Sequence, residues 1–223
     1  MLGLPVAPDL QSCTDEQLAR QSQAGSLLAF EELVYRYEGR VYGFVANFCG
    51  NSADAREVTQ DTFVRAFQAM GRFDCRRPFA PWLFTIARAK SIDHRRAAPP
   101  VAADPLPELP HEDSPAELLA RREERRDLWA LARRSLPGAQ FQALWLRYVE
   151  DFSVGEIAQA LSKTQTHVKV LLFRARHTLA RELKAVPGKN IYEVMVRKDE
   201  AVRSAGRRPT AVTVAAGREQ QLG

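Results

Sequence analysis

The amino-acid sequence predicts an all-α protein in which a Pro-rich acidic linker joins two small helical domains, the C-terminal one a helix-turn-helix. Three observations support this prediction. Apolar residues recur at helical spacing on both sides of the middle of the chain. Between these regions, residues 97–116 contain six Pro, four acids and no Lys or Arg, a composition that cannot build a core. Near residue 160, two short helical patterns flank a turn of three to four residues, and the second is basic.

The totals of the sequence favour a protein with an anionic partner. The chain has 223 residues, of which 45% are hydrophobic, which is enough for one or two domains with packed cores. The net charge of +5 is modest, but it is concentrated in two stretches, Arg72–Arg96 and Ser162–Lys184. The first has seven Lys or Arg against two Asp, and the second has six Lys or Arg against one Glu. Basic clusters of this kind attract nucleic-acid phosphates.

Several classes of function find no support in the sequence. The three cysteines are far apart and lack zinc-ligand spacing, which indicates a reducing compartment and predicts no metal or other cofactor. The four histidines are scattered, and no nucleophile, paired-carboxylate or phosphate-loop motif occurs, so we expect no enzymatic activity. The N-terminus lacks a signal-peptide pattern, and no apolar stretch approaches the ~20 residues that span a bilayer. We therefore expect a cytoplasmic protein without membrane insertion.

The first predicted domain covers residues 14–96 and begins with two helices. Thr14 is suited to cap a short helix that ends near Gln23, with Gly25 as the stop signal. Apolar residues at i, i+3, i+4 and i+7 predict a longer core helix over 28–48.

A third helix is predicted from Asp54 to Met70, with different chemistry on its two sides. The side expected in the core consists of Val58, Phe63, Ala66, Phe67 and Met70. The opposite side is mainly acidic and polar and consists of Asp54, Glu57, Gln60, Asp61 and Arg65. This side is either simply solvated or a docking surface for a basic partner helix.

The stretch Arg72–Arg96 combines cations with aromatic rings. Cations attract a phosphate backbone and aromatic faces stack on unpaired bases, so the stretch is suited to hold single-stranded DNA. The aromatic residues are Phe73, Phe79, Trp82 and Phe84. A helix is predicted from Trp82, after Pro78 and Pro81, with Trp82, Ile86 and Ala89 on one face and Arg88, Ser91 and Arg95 on another. The alternative is an amphipathic helix with a solvated basic face and its aromatic residues in the core.

The second predicted domain covers residues 117–184. After a charged helix and an apolar one, Ser153 and Glu156 have the spacing of a capping box that starts a short helix. Thr164 is suited to cap the next helix, whose inward residues are Val168, Leu172, Ala175 and Leu179. Its outward residues are Gln165, Thr166, Lys169, Val170, Phe173, Arg174 and Arg176. The pair predicts a helix-turn-helix with its second helix in the major groove, and a plain helical hairpin is the alternative. Residues 185–223 are expected to form a poorly ordered tail.

In this order, the elements resemble the extracytoplasmic function (ECF) group of the bacterial sigma-70 family of RNA polymerase sigma factors. Asp54–Phe67 has the sequence DAREVTQDTFVRAF and resembles the group's core-polymerase-binding helix, DAEDLVQETFLRAW. Phe73–Arg96 has the sequence FDCRRPFAPWLFTIARAKSIDHRR and resembles the promoter-melting segment, FRGxSxFxTWLxxIARNxxxDxxRR. Ser153–Leu179 has the sequence SVGEIAQALSKTQTHVKVLLFRARHTL and resembles YxEIAxxLGxSxGTVKSRLxRARxxL, which binds the minus-35 element.

The resemblance implies a non-catalytic sigma factor that directs core polymerase to specific promoters and stabilises the melted minus-ten strand. Its partners would be the clamp and flap regions of core polymerase, promoter DNA in duplex and single-stranded form, and an anti-sigma factor, although no residue identifies the last. The residues implied in core binding are Asp54, Glu57, Gln60, Asp61 and Phe63. Those implied at the minus-ten strand are Asp74, Arg76, Arg77, Phe79, Trp82, Arg88, Asp93, Arg95 and Arg96. Those implied at the minus-35 element are Gln165, Thr166, Lys169, Phe173, Arg174 and Arg176.

Several positions depart from the family pattern. Ala89 stands where the family usually has Asn, and Ala80-Pro81 replaces a polar-Thr pair, which stiffens the loop. Val170 and Leu171 stand for Ser and Arg. Each bidentate pair to a base edge is worth ~1–3 kcal/mol of discrimination, so we expect a promoter preference that differs from the family average.

Two other functions explain part of the sequence. A stand-alone helix-turn-helix regulator that binds duplex DNA without core polymerase accounts for residues 128–184 but leaves the aromatic residues of 73–96 without a use. A sigma-like adaptor that never initiates transcription accounts for both, and a transcription assay separates it from a sigma factor. The acidic linker has two interpretations as well, a solubilising spacer or an occupant of a channel that later takes nucleic acid.

Overall fold

The computed structural model describes residues 10–49, 51–97 and 117–184. These residues form helices without any strand, which confirms the all-α prediction. The helices are α1 (Asp15–Gln23), α2 (Leu27–Ala46), α3 (Ser52–Ala69), α4 (Phe79–Ala97), α5 (Glu117–Ser135), α6 (Gly138–Tyr148), α7 (Val154–Ala160) and α8 (Gln165–Lys184). Short 3-10 turns lie at Leu10–Ser12 and Met70–Arg72. The predicted tail, and all of the predicted linker except Ala97, lie outside the described residues.

Capping residues set the boundaries of the first helices. Thr14 and Gln17 exchange hydrogen bonds of 3.2 and 2.7 Å in the capping box that starts α1. Gly25 follows α1 with a φ of +96°, a conformation that glycine adopts at little cost, so the predicted stop is confirmed. The side chain of Asn51 caps α3 by accepting the N–H of Asp54 at 2.8 Å, so this helix begins slightly earlier than predicted.

The core of the first bundle forms where α2 packs against α3 and α4. The predicted residues of α3 are buried except for Phe67, which is 49% exposed. Its ring meets Phe30 edge-on, with 4.9 Å between centroids. Phe67 follows the buried Ala66 by one residue, which turns its side chain by about 100° around the helix axis. The expectation that Phe67 lies in the core is therefore wrong.

Helix α4 differs from the prediction in its start and in its buried face. It begins at Phe79, so Pro81 lies in the first turn, where a missing N–H has no helical partner. Ser91 is buried, so its placement with the exposed basic residues is wrong. Its hydroxyl donates to the carbonyl of Ala87 at 2.8 Å, which satisfies the polar group inside the core. The buried residues of α4 are Phe79, Pro81, Leu83, Phe84, Ala87 and Ser91.

The second group of helices contains the predicted helix-turn-helix. Ser153 and Glu156 form both hydrogen bonds of the capping box at the start of α7, at 3.3 and 2.7 Å. Between α7 and α8, Ser162 has a φ of +52°, and Thr164 accepts the N–H of His167 at 3.2 Å. All four residues predicted to point inward from α8 are buried, and so is Leu171.

Helices from both sides of the linker pack against one another. Phe84 of α4 lies 5.4 Å from Phe44 of α2 and 5.4 Å from Phe152, which precedes α7, measured between ring centroids. Arg40 of α2 forms a 2.8 Å ion pair with Glu150, whose side chain is 2% exposed. The described residues as far as Glu182 thus belong to one compact unit.

We expect Phe84→Ala to lower the free energy of unfolding by about 3–5 kcal/mol, because it opens a cavity between buried rings. The matched control is Phe67→Ala, which removes the same side chain from a half-exposed position and should cost less than about 2 kcal/mol, since less apolar surface is lost. Urea unfolding followed by circular dichroism measures both. Equal costs for the two variants would contradict the described core.

Candidate nucleic-acid interface

The outward side of α3 is polar and mostly exposed. Glu57, Gln60 and Asp61 are exposed, and Asp54 is half-buried. Phe63, which the family pattern assigns to the same site, is only 7% exposed and packs in the core. Phe63 lies about 60° around the helix from Gln60, at the edge where the outward side meets the core. Its assignment to the docking surface stays a prediction.

Two apolar side chains also belong to the outward side of α3. Val64 and Phe67 are each 49% exposed and continue the line from Gln60 at i+4 and i+7. The exposure of these two residues does not follow from the apolar pattern of α3, which predicts Phe67 in the core. Their helical spacing from Gln60 is the signal that places them on this side.

The loop before α4 is shaped by Asp74 and held by α1. One Asp74 carboxylate oxygen accepts the N–H of Arg76 at 3.1 Å, and the Asp74 carbonyl accepts the N–H of Arg77 at 2.9 Å. Gln23, at the end of α1, donates through Nε2 to the carbonyls of Met70 and Phe73, at 2.9 and 2.7 Å. Asp74, Arg76 and Arg77 are all exposed. The turn therefore leaves both Arg side chains exposed, with Arg77 Nε 3.6 Å from Asp74 Oδ2, and it is tied to the bundle at its base.

The aromatic residues of this region form a cluster with one partly exposed member. Phe79 is 1% exposed and packs against Tyr37 at 5.4 Å and Phe73 at 5.7 Å, between ring centroids. Phe79 is therefore covered in the free chain, and its assignment to the minus-ten strand stays a prediction. Trp82 is half-buried and lies 4.7 Å from Phe73. Trp82 thus offers a supported aromatic face at the surface, whereas Phe73 and Phe79 stiffen it from below.

One residue outside the predicted set fixes the start of α4. The carboxylate of Glu16, in α1, accepts the N–H of Phe79 at 3.2 Å. A carboxylate at a helix N-terminus satisfies a free donor and offsets the helix dipole. Together with Gln23, Glu16 positions the candidate site from α1. Sequence reasoning missed both because the contacts span more than 45 residues of chain.

The cations of α4 lie in two different environments. Arg95 and Arg96 are exposed, as is Asp93. Arg88 is half-buried, and its Nε donates to the side-chain carbonyl of Gln142 in α6 at 3.2 Å. Burial lowers the pKa of the Arg88 guanidinium from its usual value. In this arrangement Arg88 faces the C-terminal helices, so only part of the predicted cationic set is open to solvent.

The outward side of α8 keeps every predicted residue accessible. Gln165, Thr166, Lys169 and Arg174 are exposed, and Arg176 is half-buried. Phe173 is 65% exposed and stacks on His177, with 6.3 Å between ring centroids. Val170, one turn before Arg174, is 41% exposed. Val170 and Phe173 thus form an apolar strip between the cations on the outward side of α8.

In the ion pair between Arg40 and Glu150, burial and charge attraction have opposite effects on the carboxyl group. Burial raises the pKa of the Glu150 carboxyl, and the attraction of Arg40 offsets part of that effect. The Arg40 guanidinium also lies over the ring of Tyr37, 4.7 Å from its centroid. A second cation, Arg133 of α5, donates to the carbonyl of Cys49 at 3.4 Å. These polar contacts accompany the apolar packing between the two groups of helices.

Within the described ranges, no group of His, Cys, Asp or Glu side chains is arranged to hold a metal ion. In the same ranges, no helix combines the length and the apolar character needed to cross a membrane.

Two family models match the chain, and they match the two groups of helices. Sigma-70 region 2 matches residues 33–99, and Sigma-70 region 4 matches residues 130–179. Among curated relatives, the ECF RNA polymerase sigma factor BldN of Streptomyces coelicolor is 32% identical over 182 residues, which cover 79% of this chain and 69% of BldN. The RNA polymerase sigma-H factor of Pseudomonas aeruginosa is 28% identical and covers 76% of this chain and 94% of its own length.

Solved structures show a similar fold. CnrH, in complex with the cytosolic domain of CnrY, has a TM-score of 0.58 at 26% identity, over 77% of this chain and 98% of CnrH. The sigma factor RpoE of Bartonella quintana, in complex with the anti-sigma factor NepR, has a TM-score of 0.53 at 20% identity, over 71% of this chain and 98% of RpoE. At that identity the second likeness concerns the fold alone.

The fold, the helix-turn-helix and the matched regions define a DNA-binding factor of transcription initiation. The chain belongs to the ECF group of the sigma-70 family and is an RNA polymerase sigma factor, which binds core polymerase and directs it to promoters. The stand-alone regulator is accordingly not favoured.

The cysteines provide a test of the packing between the two groups of helices. Cys49 is buried, and burial together with the nearby charge of Asp54 raises the pKa of its thiol to about 11. Because the thiolate is the nucleophile, we expect maleimide at pH 8 to modify Cys49 at least about tenfold more slowly than Cys13 and Cys75, which are partly exposed. Mass spectrometry of the labelled peptides over time measures the three rates. In denaturant the three rates should converge, and similar rates in the folded protein would contradict the packing over Cys49.

Proposed function

We propose that this sigma factor uses three surfaces in sequence, one for core polymerase, one for duplex DNA and one for the melted strand. The observation that carries the proposal is the arrangement of the first bundle, in which the acidic side of α3 lies beside the aromatic and basic helix α4. Run-off transcription with purified core polymerase, on a library of upstream promoter sequences, tests it. Failure of the chain to support any transcription would favour the adaptor function over this proposal.

Core polymerase, in this proposal, binds the outward side of α3 through its clamp. Glu57, Gln60 and Asp61 supply an exposed acidic and polar surface that suits a basic partner helix. Val64 and Phe67 add half-exposed apolar area beside it, which provides contact surface that charge alone does not. The C-terminal helices would contact the flap region.

The minus-ten strand is assigned to the loop before α4 and to the exposed residues of that helix. Arg76 and Arg77 would attract the phosphates, and Trp82 would stack on an unpaired base. Flipping a base out of the stack costs a few kcal/mol, which stacking and hydrogen bonds in a pocket can return. The buried contacts of Phe73 with Trp82 support this role because a stiff ring loses less entropy when a base stacks on it.

The minus-35 element is assigned to α8, with its N-terminal residues towards base edges. Gln165 and Thr166 lie in the first turn, where a recognition helix enters the major groove. Lys169 and Arg174 are exposed and would contact phosphates on either side of the groove. Promoter binding then requires the domains 14–96 and 117–184 to engage two separate DNA elements across the linker.

Promoter engagement also requires a change in the contacts of Arg88. This cation is held by Gln142 in the described arrangement, so it can meet the minus-ten strand only after that hydrogen bond breaks. An inhibitory partner could act by stabilising the compact arrangement. Two sigma factors of similar fold are solved with the partners CnrY and NepR. We propose that an anti-sigma protein regulates this chain as well, and that the chain acts in the cytoplasm without catalytic chemistry or a cofactor of its own.

The double variant Gln60→Ala with Asp61→Ala is expected to weaken binding to core polymerase by about tenfold, which corresponds to ~1.4 kcal/mol. Both side chains are exposed, so the fold should be retained. Titration of each variant over immobilised core polymerase measures the affinity, and circular dichroism checks the fold. Glu182→Ala, which removes an exposed acid from α8, serves as the control. Unchanged binding by the double variant would rule out this docking surface.

Arg174→Ala is expected to weaken holoenzyme binding to duplex promoter DNA in a salt-dependent manner. Loss of one phosphate contact should reduce the slope of log K against log salt concentration by about 0.9. Fluorescence anisotropy at several salt concentrations measures the slope. Arg181→Ala removes an exposed cation nearer the end of α8 and should change the slope less. If Arg174→Ala alters neither affinity nor slope, α8 does not bind DNA in this orientation.

A further inference from the structure

Two polar contacts join the proposed polymerase-docking helix to the proposed strand-binding helix. Lys90 Nζ of α4 lies 2.9 Å from Asp61 Oδ2 of α3. His94 Nε2 of α4 lies 3.0 Å from Asp54 Oδ2 of α3. Both acids belong to the surface proposed for core polymerase. Each is therefore already engaged, within the free chain, by a side chain of the helix that is proposed to meet DNA.

Lys90 lies at the edge of the proposed single-strand surface. Trp82, Ile86, Lys90 and His94 follow one another at four-residue spacing, so each lies about 40° around α4 from the one before, and the row turns towards α3 at Lys90 and His94. Trp82 begins this row with its partly exposed ring, and Asp93 and Arg96 lie on the open side next to it. A strand whose base stacks on Trp82 would carry its next phosphates along the helix towards Lys90. In the promoter-melting pattern that Phe73–Arg96 resembles, the position of Lys90 is unspecified.

We propose that Lys90 is a further strand-binding residue. In the free chain its ammonium group is paired with Asp61, and core polymerase frees it by binding Asp61 itself. His94 and Asp54 form a second contact of the same kind between the same two helices. When a basic helix of the polymerase takes the acids of α3, the Lys90 ammonium loses its partner and becomes available to a phosphate. Docking on α3 is thereby linked to strand binding on α4 through an exchange of charge partners.

The energetics of the pair suit an exchange. The side chains of Lys90 and Asp61 are 34% and 56% exposed, so water and salt screen their attraction. Exposed ion pairs contribute little to stability, so a cation of the polymerase can displace Lys90 from Asp61 at little cost. A buried pair could not be exchanged in this way, because breaking it would leave a charge without a partner in the core. Glu150, whose side chain is 2% exposed, would be such a charge if its pair with Arg40 were broken.

The inference rests on the proposed docking of core polymerase on α3, and its first test avoids the polymerase. The full-length chain is titrated with a fluorescent single-stranded oligothymidylate, because phosphate contacts do not depend on sequence. Asp61→Asn removes the partner of Lys90, whereas Glu57→Gln removes an equally charged, exposed acid of the same helix. Both variants raise the net charge by one, so a general charge effect is the same in both.

Asp61→Asn is expected to bind the oligonucleotide about two- to fivefold more tightly than Glu57→Gln. This is the change in affinity that is expected when Lys90 no longer has to leave an exposed ion pair. Its slope of log K against log salt concentration should also be steeper by about 0.7, which corresponds to one new single-strand phosphate contact. The double variant Asp61→Asn with Lys90→Gln should return to the slope of the unmodified chain. Equal affinity and slope for Asp61→Asn and Glu57→Gln would overturn the proposal.

A second test uses holoenzyme on a promoter template with a pre-melted bubble. Lys90→Gln should reduce the salt slope of template binding by about 0.7, because the polymerase has already released Lys90. Affinity for core polymerase, measured separately, should not fall, because Lys90→Gln leaves Asp61 free to bind the polymerase. No change in slope would show that Lys90 does not meet the strand. If Asp61→Asn leaves the affinity for core polymerase unchanged, core polymerase does not dock on α3 through Asp61. The comparison of the free chains still decides whether Asp61 withholds Lys90 from the strand.

Discussion

The burial of one side of α4 is the constraint on which the other features depend. Leu83, Phe84 and Ala87 have no exposed surface and hold the helix against α2, α3 and the segment ahead of α7. Once this side is buried, the polar residues of α4 are divided between three directions. Lys90 and His94 face α3, Arg88 faces α6, and the outer side remains open. The helix therefore connects the proposed polymerase surface, the proposed strand surface and the C-terminal helices.

Internal hydrogen bonds and ring contacts give the candidate strand site its rigidity. Gln23 and Glu16 of α1 fix the loop and the first turn of α4 through hydrogen bonds of 2.7 to 3.2 Å. Phe73 and Phe79 support Trp82 from the core side. A site that must hold an unpaired base benefits from such support, because side chains already fixed in one conformation lose little entropy on binding. The N-terminal helix thus has a positioning role that its own sequence does not reveal.

The compact arrangement has different consequences for the two DNA-binding helices. The outward side of α8 stays open, so duplex contacts need no rearrangement within this helix. Arg88 of α4, in contrast, is held by Gln142 and would have to leave that contact to reach DNA. Polar contacts at the edge of an apolar interface are well suited to such a change, since each contributes only ~1 kcal/mol and can be replaced by a DNA phosphate. The melted-strand surface is therefore the part of this sigma factor whose access depends most on conformation.

Local chemistry in the sequence was enough to determine the helical class, the capping boxes at Thr14 and Ser153, and the helix-turn-helix, because helical spacing and caps act within a few residues. Motif spacing also identified the family. Only the tertiary structure decided which aromatic residues remain accessible. Phe63 and Phe79 are buried whereas Phe67 is half-exposed, since burial depends on which neighbouring helix covers each side. The pairs that Asp61 and Arg88 form were likewise beyond the sequence, because their partners lie 29 and 54 residues away in the chain.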